Sequence, residues 1–217
     1  MNFIDFFYRS AQLYADRPAM HFYGESWSYR DLARLANRVA NGLKQLGVQP
    51  GTKCAVVSRN DPFAFIAMLG IMKARAVWVP LNPANAQVDN THILKAFDVE
   101  VVFHQQASEG FIAQAMHECP ALRTAFCLDG GGEVGQPFED WMLRQRADDF
   151  LLPWEPDRLC WLRGTGGTTG LPKGVMNTNR NFETMVANFM ATLNFDDPPV
   201  YLACAPLSHA AAVLSMV

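Results

Sequence analysis

The sequence predicts an α/β fold in which a mostly parallel sheet is flanked by helices. Three observations lead there. Short apolar runs, such as Cys54–Ser58 and Val77–Leu81, alternate with stretches whose apolar residues recur at helical spacing. Caps and chain-breakers separate the two kinds of segment. One apolar run, Leu159-Cys160-Trp161-Leu162, opens directly into a loop rich in glycine and threonine.

The elements follow in order. Ser28-Tyr29-Arg30-Asp31 has the form of a capping box. Leu32, Leu35, Ala36, Val39, Ala40, Leu43 and Leu46 then repeat at helical spacing, and Gly47 stops the helix. Cys54–Ser58 is the next strand. Asn60-Asp61-Pro62 caps a helix that runs through Phe63–Lys73, with proline in its first turn. Val77–Leu81 is the following strand. A strand–helix–strand unit with a short crossover predicts a parallel pair with a right-handed connection. The pattern repeats: helix Val88–Phe97, strand Val99–Phe103, helix Glu109–Glu118, strand Thr124–Leu128. Gly130-Gly131-Gly132 lacks Lys, Ser and Thr, so it reads as a surface turn and not as a second anion loop. Phe138–Arg146 is expected to be helical, Asp148–Pro156 a connector and Leu159–Leu162 a strand. Val175-Met176 starts a short strand, Asn181–Leu193 is helical, and Val200–Ala205 is expected as a further strand. Ligands of such sheets bind outside the carboxyl ends of the strands. The loop after Leu162 and the segment after Ala205 are therefore both expected to face one site.

The run from Gly164 to Gly174 reads Gly-Thr-Gly-Gly-Thr-Thr-Gly-Leu-Pro-Lys-Gly. Glycines let the backbone turn tightly and approach a ligand. Successive N–H groups in such a turn form an anion nest. Threonine hydroxyls add donors and Lys173 adds a full charge, so the chemical match is a polyphosphate. A Walker A loop is excluded, because that motif follows its Lys with Ser or Thr and starts a helix at once. Here Gly174 follows Lys173, and Pro172, with no N–H, precedes it. Lys173 is therefore expected just past the loop. A flexible linker is the alternative, but a linker has no placed Pro-Lys and no apolar strand feeding it.

Bulk properties narrow the classes. Half of the 217 residues are hydrophobic and 18% are charged, enough for a sizeable core in one large domain or two small ones. A net charge of −3 argues against nucleic-acid binding. The five cysteines, Cys54, Cys119, Cys127, Cys160 and Cys204, are scattered without a Cys-x-x-Cys, which predicts reduced and mostly buried thiols in a cytoplasmic protein. The opening residues lack a signal-peptide core. The longest apolar run, Phe63 to Met72, is too short to span a bilayer, so no transmembrane segment is expected. Peripheral membrane contact and self-association stay open. His21, His92, His104 and His117 show no metal spacing and read as surface or core residues. Asp196-Asp197 before Pro198-Pro199 reads as a solvated turn. Ser208-His209 is not a serine-hydrolase pair, because adjacent strand residues point to opposite faces and no Gly-x-Ser-x-Gly elbow exists.

Thr165-Gly166-Gly167-Thr168-Thr169-Gly170-Leu171-Pro172-Lys173-Gly174 resembles the signature of the AMP-forming adenylate-forming enzymes, a family of acyl-CoA synthetases, luciferases and peptide-synthetase adenylation domains. Ala15–Ala19, Trp27-Ser28-Tyr29, Ala36-Asn37-Arg38, Leu46-Gly47-Val48, Val79–Pro83 and Pro206-Leu207-Ser208-His209 fall in the family's usual order, so the resemblance covers nearly the whole chain. It implies the N-terminal part of that family's large domain. It also implies a ligase that activates a carboxylic acid, fatty or aromatic, with ATP. Acyl-AMP and pyrophosphate form, and the acyl group then passes to coenzyme A. By the same resemblance the backbone of Gly166, Gly167 and Gly170, the hydroxyls of Thr168 and Thr169, and Lys173 hold the phosphates, and Thr165 approaches Mg2+. Lys173 and His209 are the implied catalytic residues. His209 orients the carboxylate or contacts phosphate. It is not a general base, because a carboxylate is already ionised at neutral pH.

The chain departs from the family pattern in places. Gly166 stands where Ser or Thr is common, Arg75 and Ala212 where glycine is usual, Asn179 in place of a common His, and Ser208 in place of a frequent aromatic. Arg75 is expected to affect packing alone, whereas Ser208 and Ala212 touch the pocket wall. The family's downstream motifs, its Mg2+-binding acidic segment, ribose aspartate, hinge and mobile C-terminal domain, lie beyond Val217. The run from Ala210 to Val217 is apolar to its last residue, which predicts that residues 1–217 are an N-terminal fragment, inactive alone. Two other readings stand beside it: a non-catalytic nucleotide- or acyl-binding module, and an amino-acid adenylation domain.

Overall fold

The structure is a computed structural model that describes residues 1–165, 172–193, 199–209 and 212. The chain opens with helix α1 (Phe3–Leu13), then hairpin β1 (Pro18–Phe22) and β2 (Glu25–Ser28), then α2 (Tyr29–Gln45). An α/β stretch follows: β3 (Lys53–Val57), α3 (Pro62–Lys73), β4 (Val77–Leu81), α4 (Gln87–Ala96), β5 (Val99–His104), α5 (Glu109–Glu118), β6 (Thr124–Cys127), β7 (Gln136–Pro137) and α6 (Phe138–Leu143). The described part ends its regular structure with β8 (Leu159–Gly164), β9 (Gly174–Thr178) and α7 (Asn179–Thr192).

Among the described residues, seven strands form one sheet in the order β7-β6-β5-β3-β4-β8-β9. All neighbours are parallel except β8 and β9. The chain leaves β3 toward β4 on one side and returns to β5 on the other, so a topological switch point lies at the carboxyl ends of β3 and β5. Helices cover both faces. One apolar core joins α1, α2, α3 and α6 to the sheet, and a second joins α4 and α5 to the opposite face. On the first face Trp78 stacks on Trp161 at 5.3 Å, Trp161 on Phe182 at 5.3 Å and Phe182 on Phe3 at 3.9 Å. This ladder ties β4, β8, α7 and α1 into one body.

Local chemistry explains most boundaries. The Ser28 hydroxyl accepts from the Asp31 N–H at the start of α2. Asp61 caps α3, its carboxylate accepting from the N–H groups of Phe63 at 2.8 Å and Ala64 at 3.3 Å, with Pro62 at the first position. Three features went unpredicted. Helix α1 is capped by an Asn2–Asp5 box and buries Phe3, Ile4 and Phe7. The β1–β2 hairpin turns on Tyr23 and Gly24, both at positive φ, as a two-residue primed turn requires. The short edge strand β7 extends the sheet beyond β6.

Two expected elements differ. Helix α6 ends at Leu143, not Arg146, because α2 side chains take the carbonyls beyond it: Arg38 donates to Leu143 and Gln145, and Asn41 to Arg146 and Asp148. Residues 200–205 are not a strand. Their backbone is held instead by one side chain, described below. The expected turn at Asp196-Asp197, the glycines and threonines 166–170, and the apolar tail apart from Ala212 lie outside the described residues.

Candidate nucleotide and acid site

Register places three strand ends side by side. Val57 pairs with Leu81, and Trp78 pairs with Trp161. Counting three residues along both parallel strands sets Gly164 level with Leu81. Ser58, Asn82 and Thr165 therefore leave the sheet together at the carboxyl edge of β3, β4 and β8.

Residues 165–173 connect two antiparallel strands, closed by the Gly164–Gly174 pair. The Thr165 N–H donates to the Lys173 carbonyl at 2.8 Å, and the Thr165 hydroxyl donates to the same oxygen at 3.3 Å. The glycine-rich run is thus the connection of a β-hairpin on the carboxyl edge. Lys173 is exposed and is the last residue of that connection, immediately before β9, and not past the loop. Gly166, Gly167, Thr168, Thr169 and Gly170 lie outside the described residues. The stem glycines have a packing reason that sequence alone did not show. A Cβ on Gly164 would meet Ile93 Cδ1 at 2.5 Å, and one on Gly174 would meet the Phe97 ring at 3.0 Å. Glycine lets the stem lie directly on α4.

The segment carrying His209 approaches the same edge from β3. Asn60, three residues beyond β3, donates both amide hydrogens, to the carbonyls of Ala203 and Ala205, each at 2.9 Å. Its Oδ1 accepts from the Leu207 N–H at 2.7 Å. Leu207 is buried, and with Ser208 it closes a narrow apolar crevice against Met68, Trp78 and Pro80. Ser208 is half-buried and His209 is exposed, its N–H donating to the Pro206 carbonyl at 2.8 Å. Ser208 and His209 thus follow a clamped, turning segment and not a strand. Their exclusion as a hydrolase pair then rests on the missing elbow motif. Asn60 is the residue that sequence reasoning missed, having read it only as part of a helix cap. The cap is Asp61, which leaves the Asn60 amide for the distant segment. Burial raises the Asp61 pKa, against the two N–H groups that favour its charged form.

Two departures from the family pattern acquire a structural account. Arg75 has φ +63, the left-handed region where glycine is at ease. Its guanidinium pairs with both oxygens of Glu155, Nε at 3.0 Å from Oε2 and the second nitrogen on Oε1. Its effect is therefore not packing alone: it fastens the β3–β4 unit to the connector before β8. Asn179 is buried at the start of α7, where its carboxamide donates to Asn2 Oδ1 at 3.0 Å and the Glu155 carbonyl at 2.8 Å and accepts from Phe3 N–H at 3.1 Å.

The site has a donor that suits an anion. The exposed Lys173 ammonium is that donor, whereas the Thr165 hydroxyl has given its proton to the Lys173 carbonyl and keeps lone pairs that suit a cation. For Mg2+, no group of three His, Cys, Asp or Glu residues is close enough to hold a metal among the described residues. A hard cation here would take Thr165 as a protein ligand and draw its remaining ligands from phosphate oxygens and water. Four cysteines are buried thiols and Cys204 is exposed. No helix among the described residues is long and apolar enough to cross a membrane.

Known proteins share this sequence pattern and fold. The chain is 28% identical over 182 residues to the 3-oxocholest-4-en-26-oate–CoA ligase of Rhodococcus rhodochrous, covering 81% of this chain and 33% of the ligase. It is 25% identical over 198 residues to nonribosomal peptide synthetase 8 of Aspergillus fumigatus, covering 91% of this chain and 2% of that protein. The chain therefore spans a third or less of these relatives. The crystal structure of a long-chain-fatty-acid–CoA ligase from Archaeoglobus fulgidus superposes with a TM-score of 0.85 at 20% identity, over 100% of this chain and 44% of that one. The family profile described as AMP-binding enzyme matches residues 7–217, and the chain belongs to that family.

Proposed function

We propose that residues 1–217 are the N-terminal part of a longer cytoplasmic acid–CoA ligase. The full protein activates a carboxylic acid, fatty or aromatic, as acyl-AMP with release of pyrophosphate, and transfers the acyl group to coenzyme A. The observation that carries this reading is the Thr165–Lys173 hairpin on the carboxyl edge of the sheet, the same edge to which Asn60 holds the segment that ends in His209. ATP supplies the leaving group that makes the acid reactive. The difficulty is electrostatic, an anion approaching a polyanion. The Lys173 ammonium and the backbone N–H groups of the glycine run offset that charge in this reading. In this reading Thr168, Thr169 and the Gly166–Gly170 backbone grip the β- and γ-phosphates, the Thr165 oxygen faces Mg2+, and His209 orients the carboxylate. The fragment alone lacks the rest of the site and is expected to be inactive.

The likeness to a nonribosomal peptide synthetase keeps amino-acid adenylation as a second reading. The two part on substrate: a screen of fatty, aromatic and amino acids for acid-dependent ATP–pyrophosphate exchange by the full-length protein separates them. In the same assay Lys173→Ala removes the full charge beside the glycine run. It is expected to lower exchange by two to three orders of magnitude, about 3–4 kcal/mol of transition-state stabilisation. Wild-type exchange in that variant discards the assignment.

A further inference from the structure

We propose that Asn60 is a positioning residue: it sets the reach of Ser208 and His209 into the acid site by clamping the backbone of the segment that carries them at three points. This rests on the ligase reading above and deepens it.

The argument is geometric. The segment is not a regular strand: the Cys204 N–H turns back to the Leu202 carbonyl at 2.9 Å, and the His209 N–H to the Pro206 carbonyl at 2.8 Å. Ala203, Ala205 and Leu207 are nonetheless all met by one carboxamide, through two donated hydrogen bonds of 2.9 Å and one accepted bond of 2.7 Å. Asparagine has two N–H hydrogens and one carbonyl oxygen, so its hydrogens are fully used. The segment has apolar side chains to suit a strand, yet Val200 and Leu202 are exposed and 200–205 joins no ladder. Asn60 supplies polar partners for the Ala203 and Ala205 carbonyls and the Leu207 N–H.

The position of the clamp matters as much as its chemistry. Asn60 follows β3 at the switch point, and Asp61 next to it caps α3, so the carboxamide rides on a rigid frame. Leu207, the last clamped residue, is pinned a second time by the crevice against Met68, Trp78 and Pro80. Ser208 and His209 come immediately after that double anchor. A side chain two residues beyond a fixed point is aimed by it. A loose anchor would spread its positions, which a reaction requiring close orientation does not tolerate.

The test uses the protein at its native length and two variants. Asn60→Ala removes all three hydrogen bonds. Asn60→Asp keeps the acceptor for Leu207 and loses both donors. Amide hydrogen exchange at Leu207 is expected to rise about tenfold in Asn60→Ala and to change little in Asn60→Asp. In acid-dependent pyrophosphate exchange, both variants are expected to lose about tenfold in kcat/KM for the acid, with KM for ATP within about twofold of wild type. In a His209→Ala background the Asn60→Ala loss is expected to vanish, because the clamp acts through His209. Unchanged Leu207 protection in Asn60→Ala, or losses that multiply in the double variant, overturns the role of Asn60 alone. A wild-type protein that shows no exchange with any acid overturns the ligase reading and takes the positioning role with it.

Discussion

Replacing Gly164 by alanine probes how closely the hairpin stem is fitted to α4. The added Cβ would stand 2.5 Å from Ile93 Cδ1 and 3.2 Å from Cγ1. Ordinary carbon contact begins at 3.4 Å, so the nearer atom must retreat by about 0.9 Å. Ile93 is 3% exposed and enclosed with Leu94, Ile112 and Leu162, so it cannot swing into solvent. Such overpacking costs roughly 1–3 kcal/mol. Ile93→Ala alone should cost about 2–5 kcal/mol by opening a cavity. In the double variant the new methyl occupies space that isoleucine vacated. The combined loss should then fall short of the simple sum by about 1–2 kcal/mol. Urea unfolding at pH 7, read as a midpoint shift at constant slope, measures all three. Because Thr165 follows Gly164, the single variant should also bind nucleotide more weakly. Full stability in Gly164→Ala, or strict additivity with Ile93→Ala, refutes the close fit.

Arg75→Gly sets two effects against each other. It relieves roughly 1 kcal/mol of left-handed strain, but it loosens the unfolded chain and breaks the half-buried pair with Glu155, so a net loss of about 1 kcal/mol is expected in urea melts at pH 7. The same pair shapes the acid limb of stability. Hydrogen bonds from Arg75, with the nearby charges of Arg75 and Arg158, hold the Glu155 pKa below its ordinary value. A depressed folded pKa stabilises above the unfolded value, near 4.3, and that stability is lost as pH falls through the folded pKa. The wild-type advantage over Arg75→Gly should therefore narrow below about pH 4. A difference that stays constant from pH 7 to pH 3 contradicts the ion-pair account.

What could be read from the sequence was local. Helices α2 and α3 declare themselves by Ser28-x-x-Asp31 and Asp61-Pro62, because capping is settled within a few residues. The parallel strands β3, β4 and β5 are short apolar runs and were legible for the same reason. The failures are long-range. Residues 200–205 have strand-like side chains, but the Ala203 and Ala205 carbonyls go to Asn60, more than 140 positions away in sequence, and the Cys204 N–H turns back to Leu202. Helix α6 stops early because Arg38 and Asn41, over 100 positions earlier, take the carbonyls beyond it. Tyr23-Gly24 makes a primed turn without the usual Asn-Gly or Asp-Gly pair. At the site, Lys173 and the glycine run were visible as composition. The clamp by Asn60 and the stem contacts of Gly164 and Gly174 exist only once strands and helices are assembled.

The hairpin as the grip for a nucleotide's polyphosphate is the claim beneath all of this. A crystal structure of the full-length protein with a non-hydrolysable ATP analogue and Mg2+ tests it most directly. The β- and γ-phosphates should lie within hydrogen-bond reach of the 165–173 connection, with the Lys173 ammonium beside them. A triphosphate seated elsewhere, or a connection sealed from the nucleotide, contradicts it.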